Sequence, residues 1–383
     1  MVAPLYNGAE IPDKKPEHAH AGLWFDRFFN RYEANWTFRR DGASSDTAAK
    51  VEWIKSMSGT VGQSRQLESF IKRQYSLVKQ LQGSSQRYKT DWHFVTGMGN
   101  SHPVENGFSW HSTQGVPYIA GSAVKGLVRA WVELNEDKLE DVDKRARLKR
   151  WFGTETKEEV AEQAGAFIFF DAIPEQRPSL MADIMTPHMG DWYADGAKGN
   201  PNNAKAVPAD WHEPIPVAFL AVKQAQFIFS IAPRKAQTDE SEKERQDAQL
   251  KAVFEALEQA LEWLGSGGKT GAGYGYMSRD GDFATEMNAV LDEENMSEQQ
   301  KEIVVLDEAL KHNKINNIKE TVGGRLYTQL NTLLKKAKDD TTEPVWSDQD
   351  KKALRTLGTE LLKFVDANNK KIKEVLDGLP QED

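Results

Sequence analysis

The stretch WLGSGGKTGAGYGYM, residues 263–277, holds six glycines, one lysine and two tyrosines. Ahead of it, Leu250, Val253, Phe254, Leu257, Leu261 and Leu264 recur every three or four residues, which predicts a helix. Behind it, YGYMS predicts a short strand. A plain helix-to-strand turn needs one glycine, Gly265, to end the helix. Five more only add unfolded-state entropy unless the backbone must approach something closely. Glycines grouped around a lysine let N–H groups reach an anion while the ammonium neutralises it. A nucleotide phosphate does not fit the spacing. GGKT ends like a P-loop, but the first glycine of that motif falls on Trp263, and a P-loop joins a strand to a following helix. The dinucleotide pattern fails because its last glycine falls on Thr270. For Tyr274 and Tyr276, stacking on bases and packing on a sheet are both open.

Working outward, GVPYIAGSAVKGLVRAWVEL (115–134) predicts a strand end, a turn and a helix with Ser122 as N-cap. Val124, Leu127, Val128, Trp131 and Val132 form its apolar stripe. WHFVTG (92–97), AGAFIFFDAIP (164–174) and LMADIMTPH (180–188) read as strands, and PVAFLAVKQAQFIFSIAP (216–233) as one long strand or a hairpin. The order β, α, β, β, α, β is that of an α+β, ferredoxin-like fold, which is also the topology of RNA-recognition modules. Residues 186–214 read as an insertion. Upstream, QSRQLESFIKRQYSLVKQLQ (63–82) predicts a helix with Lys72, Arg73 and Lys79 on its polar face. The first domain is therefore expected over 1–283, with a helical region over 284–383. Ser347 and Asp350 resemble a capping box within that region.

The 383 residues carry a net charge of −9, which argues against a free-standing non-specific nucleic-acid binder but leaves room for a local basic strip. The absence of cysteine excludes disulfides, zinc ribbons and thiol nucleophiles and fits a cytoplasmic protein. Neither a signal peptide nor a membrane span is legible. A second anion site is expected at the start of the 121–134 helix. Gly121 and Ser122 would offer N–H groups there, and Lys125 and Arg129 lie four residues apart on one face.

These residues look familiar as a set. VPYIAGSAVKGLVRAWVE resembles the first-helix signature of the RAMP superfamily, P-x-x-x-G-S-S-h-K-G-h-h-R, with Ala123 where serine is common. GSGGKTGAGYGYM resembles that superfamily's C-terminal glycine-rich loop. AGLWFDRFF, VTGMGNSHPVENGFSWHSTQGVPY, DIMTPH and PIPVAFLAVKQAQFIFSIAP resemble, within it, the sixth-subunit family of Cmr-type, III-B CRISPR effector complexes. The resemblance covers roughly residues 20–280. It implies a non-catalytic cytoplasmic subunit without cofactor or metal. Such a subunit holds the CRISPR RNA near its 3′ end and contacts the guide–target RNA duplex. Its expected protein partners are neighbouring RAMP backbone subunits and the small helical subunit, with no membrane. Carried over, Gly265, Gly267, Gly268, Lys269, Thr270, Gly271, Gly273 and Tyr274 would contact RNA, as would Gly121, Ser122, Lys125 and Arg129. His102, His111, Lys72 and Arg73 are further candidate contacts.

The alternative is a metal-independent RAMP-type endoribonuclease. His102, Glu105 and His111 lie in one glycine-bearing loop and would be its acid–base candidates. Asp183, His188, Asp191 and His212 could bind a metal by composition, but their spacing matches no ligand pattern.

Overall fold

The computed structural model describes residues 12, 14–32, 35–37, 46–135, 141–154, 163–187, 189, 192–193, 207–208, 214, 216–339, 345–365 and 370–380. The chain divides into two compact units, Met1–Met287 and Asn288–Asp383.

In the first unit the elements run α1 (Ala21–Arg27), α2 (Asp46–Ser56), β1 (Gly59–Thr60), α3 (Ser64–Gln80) and β2 (Ser84–Thr90), then α4 (Gly121–Asn135), α5 (Asp141–Phe152), β3 (Phe167–Phe169) and β4 (Ile173–Pro174). They continue as β5 (Ser179–Met185), β6 (Val217–Val222), β7 (Gln226–Pro233), α6 (Glu240–Trp263) and β8 (Met277–Arg279). The main sheet has the order β3-β7-β2-β8, with β4 also on β7, and every pairing is antiparallel. Read as β2-α4-β3 and β7-α6-β8, this is the ferredoxin-like order with the first and third strands at the centre.

The first strand of that unit is not WHFVTG but SSQRYKT, which starts eight residues earlier and pairs with β7 from Ser84↔Ile231 to Lys89↔Gln226. Its polarity hides it, yet Ser85, Tyr88 and Thr90 are buried. Ser85 stands opposite Ser230, and their hydroxyls meet at 2.8 Å, so two buried polar groups satisfy each other across the ladder. Residues 92–97 instead leave the main sheet, and Phe94 bridges Val222 of a second sheet, β1-β5-β6. The 216–233 segment is neither one strand nor a hairpin. β7 has both edges taken, by β2 on one side and by β3 and β4 on the other, so β6 must pair elsewhere and joins β5. The 164–174 strand is two short ones, β3 and β4.

β7 is buried along Phe227–Ala232, the continuous pattern of a strand covered on both faces. α3 packs on β2 and β7, while α6 packs on β7, β8 and α4. Val124, Val128 and Val132 of α4 are fully buried at i, i+4 and i+8; Leu127 and Trp131 from the same expected stripe are half-buried at its edge. α6 starts at Asp239, whose carboxylate accepts the Glu242 N–H at 3.0 Å, and buries Val253, Phe254, Leu257, Ala260 and Leu261. α1 brings Trp24 and Phe25 into an aromatic cluster with Trp53 and His102.

α7 (Phe283–Asn295) runs across the division between the units. The second unit holds α8 (Glu298–Ile315), α9 (Arg325–Lys338), α10 (Asp348–Phe364) and α11 (Lys370–Asp377). A largely leucine core fills it: Leu306, Leu310, Leu330, Leu354 and Leu361 are completely buried. α8 opens with a full capping box between Ser297 and Gln300. At Ser347 the hydroxyl accepts the Asp350 N–H at 3.1 Å, so the expected N-cap forms. Gly358 has only 2.7 Å between an added Cβ and Leu376, and that small residue lets α10 and α11 approach.

Candidate nucleic-acid interface

The glycine loop leaves α6 at Gly265, with φ of 70°. It then lies along residues 91–95, the segment that crosses from the main sheet to the second one. The Gly268 N–H donates to the Val95 carbonyl at 2.7 Å, the Gly275 N–H to His93 at 2.8 Å, and the Asp91 N–H to Tyr276 at 2.9 Å. The Ser266 N–H donates to Gly275 at 2.8 Å and closes the base of the loop. These bonds require close approach. A Cβ at Gly267 would sit 2.1 Å from the Val95 oxygen, and one at Gly275 only 1.9 Å from the Ser266 oxygen. Gly267 and Gly275 also have φ of 84° and 78°. Gly275 was not among the expected contacts. Its signal was the alternation Y-G-Y at the entry to a strand.

At the tip, the N–H groups of Gly267, Lys269, Thr270 and Gly271 have no hydrogen-bond partner among the described residues. Gly267, Gly271 and Gly273 are exposed. Lys269 is itself left-handed, with φ of 60°. Its Nζ lies 3.5 Å from the Met185 sulfur and 5.2 Å over the Phe219 ring. No carboxylate pairs with it among the described residues. A half-buried ammonium is thus held on an aromatic face beside unused N–H donors, with no salt-bridge partner among the described residues.

Tyr274 takes the packing fate. It is 6% exposed, tilts against Trp92 and Phe219, and its hydroxyl donates to the Asp183 carboxylate at 2.6 Å. Burial first, then Asp183, pushes the phenol pKa up. No base can stack on a ring so enclosed, which corrects its expected contact. Tyr276 is half-buried and holds Asp91 through its carbonyl.

The expected second anion site is occupied by the protein's own groups. Gly121 is the first residue of α4, and its N–H donates to the Asp171 carboxylate at 2.7 Å. That carboxylate already meets the positive end of the helix. Gly121 is required by packing, since a Cβ would lie 2.1 Å from the Phe169 oxygen. Ser122 is inside the helix rather than at its N-cap, and is exposed. Lys125 donates to the Phe152 carbonyl at the end of α5, at 2.7 Å, and burial with Arg234 and Arg129 lowers its pKa. Arg129 pairs with Glu133 at 2.7 Å.

The two motifs do not converge. The glycine loop flanks the end of β7 where Lys89 pairs with Gln226, whereas Lys125 feels Arg234 at the other end, beyond Pro233. Eight strand residues place those ends about 25 Å apart, so one phosphate cannot touch both and only an extended polyanion could.

The remaining candidates divide similarly. His102 stacks on Phe25 at 4.1 Å, its Nδ1 accepts the Val104 N–H at 3.2 Å, and its Nε2–H donates to the Phe25 carbonyl at 2.9 Å. His111 Nδ1 accepts the Gln114 N–H at 3.3 Å and its ring edges Phe70 and Tyr118. Glu105 pairs with Lys50. Burial is the main cause lowering both imidazole pKa values. The fold holds His102 through both ring nitrogens and His111 through Nδ1. Their lowered values mean that the unfolded chain binds more protons, so stability is expected to fall as pH drops below about 6.5. Urea titrations at pH 8, 6.5 and 5 measure this, and a flat profile would show that both rings charge freely in the fold. Lys72 is tied to Glu68 at 2.6 Å, whereas Arg73 is exposed without a partner among the described residues. Of the four compositional metal candidates, Asp183 holds Tyr274, and His188, Asp191 and His212 lie outside the described residues, as does most of the expected 186–214 insertion.

One basic element was not anticipated. α5, DVDKRARLKRWF, carries Lys144, Arg145, Arg147, Lys149 and Arg150, and Arg147 lies 5.4 Å over the Trp151 ring. Its charge density was the available signal.

Fold and loop together define a ferredoxin-like protein with a glycine-rich loop between its second helix and last strand. The sequence profile of the RAMP superfamily matches residues 87–278, and the chain belongs to that superfamily. A relative described as CRISPR system Cmr subunit Cmr6, from Pyrococcus furiosus, is 29% identical over 255 positions, covering 52% of this chain and 68% of its own. Among solved structures, a chain of the type III-B Cmr-beta complex bound to cognate target RNA is 21% identical. It covers 62% of this chain and 72% of that one, with a TM-score of 0.46. The crystal structure of Cmr6 from Pyrococcus furiosus is 23% identical, covering 52% and 98%, with a TM-score of 0.29. No helix among the described residues is long and apolar enough to cross a membrane.

Proposed function

We propose that this chain is a non-catalytic RNA-binding structural subunit of a type III-B CRISPR effector complex. It holds the 3′ portion of the CRISPR RNA and the guide–target RNA duplex, in the cytoplasm, beside RAMP backbone subunits and a small helical subunit. Membership in the RAMP superfamily and the likeness to a Cmr6 protein support the setting. The observation that carries the reading is Lys269: an ammonium with no carboxylate paired to it among the described residues, set on the Phe219 ring at the mouth of a loop with four N–H groups that none of those residues uses. Such a loop fits a phosphate of a continuous backbone, and it reads no base edge.

Lys269→Ala is expected to weaken binding of the assembled complex's guide RNA about equally for all sequences. It should also reduce the slope of log K against log salt by about 0.7–1. Lys125→Ala should leave that slope unchanged, because its ammonium is spent on Phe152. Equal affinities and slopes for wild type and Lys269→Ala would overturn the reading.

A further inference from the structure

Trp92 stands directly beside the loop, two residues past the end of β2, and is 47% exposed. A single exposed tryptophan is ordinary on a protein surface, but this one is fixed on every inner side. Its ring lies nearly parallel to His93 at 4.6 Å and tilts against Tyr274 at 4.9 Å. Tyr274 is in turn locked by Asp183. The backbone of Gly273, with φ of 92°, runs along the ring so closely that a Cβ there would touch Cε3 at 3.8 Å. The chain on either side is pinned as well: Asp91 is held by Tyr276 and Ser278, and the His93 carbonyl accepts Gly275. The indole is therefore preorganised, half in solvent, next to the exposed glycines of the anion loop. Stacking a base on it would cost little side-chain entropy.

We propose that Trp92 is a base-stacking subsite: an unpaired base, next to the phosphate held by the loop, lies on the exposed part of the indole. This rests on the reading of the loop as an RNA-backbone site. It adds a requirement that reading does not make, namely that the strand at the loop is single-stranded. Every base has a π face, so the subsite tolerates any sequence, whereas a base locked in a duplex cannot turn onto the ring.

The test uses the full chain and a fluorescein-labelled oligouridylate of about 12 nucleotides, alone or annealed to oligoadenylate. Trp92→Ala is expected to weaken the single strand about ten-fold, with the salt slope unchanged and duplex binding little affected; Trp92→Phe should retain most of the affinity. Scanning one abasic nucleotide along the oligouridylate should find a position where wild type loses about the same factor and Trp92→Ala loses nothing more. That scan reads the subsite in the wild-type protein even where Trp92→Ala is poorly folded. If Lys269→Ala weakens binding while Trp92→Ala and every abasic position leave it unchanged, the stacking subsite is overturned and the backbone clamp stands. If neither variant changes binding, both fall.

Discussion

Gly275→Ala is expected to dismantle the glycine loop and remove RNA binding with it. The substitution places a Cβ 1.9 Å from the Ser266 oxygen, backbone against backbone, at a φ of 78°. The dihedral alone costs about 1–3 kcal/mol, and the clash adds to it. Relief requires breaking the Ser266–Gly275 or Gly275–His93 hydrogen bond, and these bonds seat the loop against 91–95. Gly271→Ala is the control, since nothing lies within 4 Å of its added Cβ and its φ is not positive; its effect on stability should stay within about 0.5 kcal/mol. Urea denaturation of both variants measures the contrast, and RNA titration of Gly275→Ala follows the loss of binding. Equal behaviour would mean that the loop's glycines serve flexibility rather than close approach.

Arg87→Met is expected to give the second large effect, on stability without a direct effect on the loop. The Arg87 side chain is 11% exposed and reaches Glu175 at 3.0 Å and Glu286 at 2.8 Å. Its Nε–H also donates to the Asp280 carbonyl at 3.0 Å. Glu286 is the largest cause raising the guanidinium pKa. Removing one partner of a fully buried pair costs about 3–5 kcal/mol. Glu286 and Asp280 reach solvent here, so about 2–3 kcal/mol is expected. Glu286→Gln should cost less than Arg87→Met, because it leaves no cation stranded. Thermal or urea unfolding of the two variants and their double mutant apportions the network. A loss under about 0.5 kcal/mol for Arg87→Met would show that water replaces it.

The fold was legible where local chemistry and tertiary role agree. The α6 periodicity and the glycine end signal at Gly265 required only short-range information, and the β, α, β, β, α, β order was reached with WHFVTG standing in the place of β2. β2 was not legible, because SSQRYKT shows its burial only once Ser85 finds Ser230 and Thr90 finds Ala225. The separation of β6 from β7 was hidden for the same reason. It depends on which edges of β7 are already filled, a long-range fact.

The site divides along the same line. Residue types and spacing point to a glycine–lysine loop able to approach an anion and exclude a nucleotide cradle, and the resemblance of two motifs points to the RAMP superfamily, to which the chain belongs. They could not tell an available cation from a committed one. Lys125, Arg129 and Lys269 look alike in sequence. Only the tertiary structure gives Lys125 the end of α5, Gly121 the Asp171 carboxylate, and Lys269 an aromatic face with no paired carboxylate among the described residues. It likewise buries Tyr274 and leaves Trp92 exposed, reversing which aromatic can meet a base. The reason is physical: charge and ring chemistry belong to the residue, but their availability depends on partners from distant parts of the chain, and those partners meet only when the sheets close.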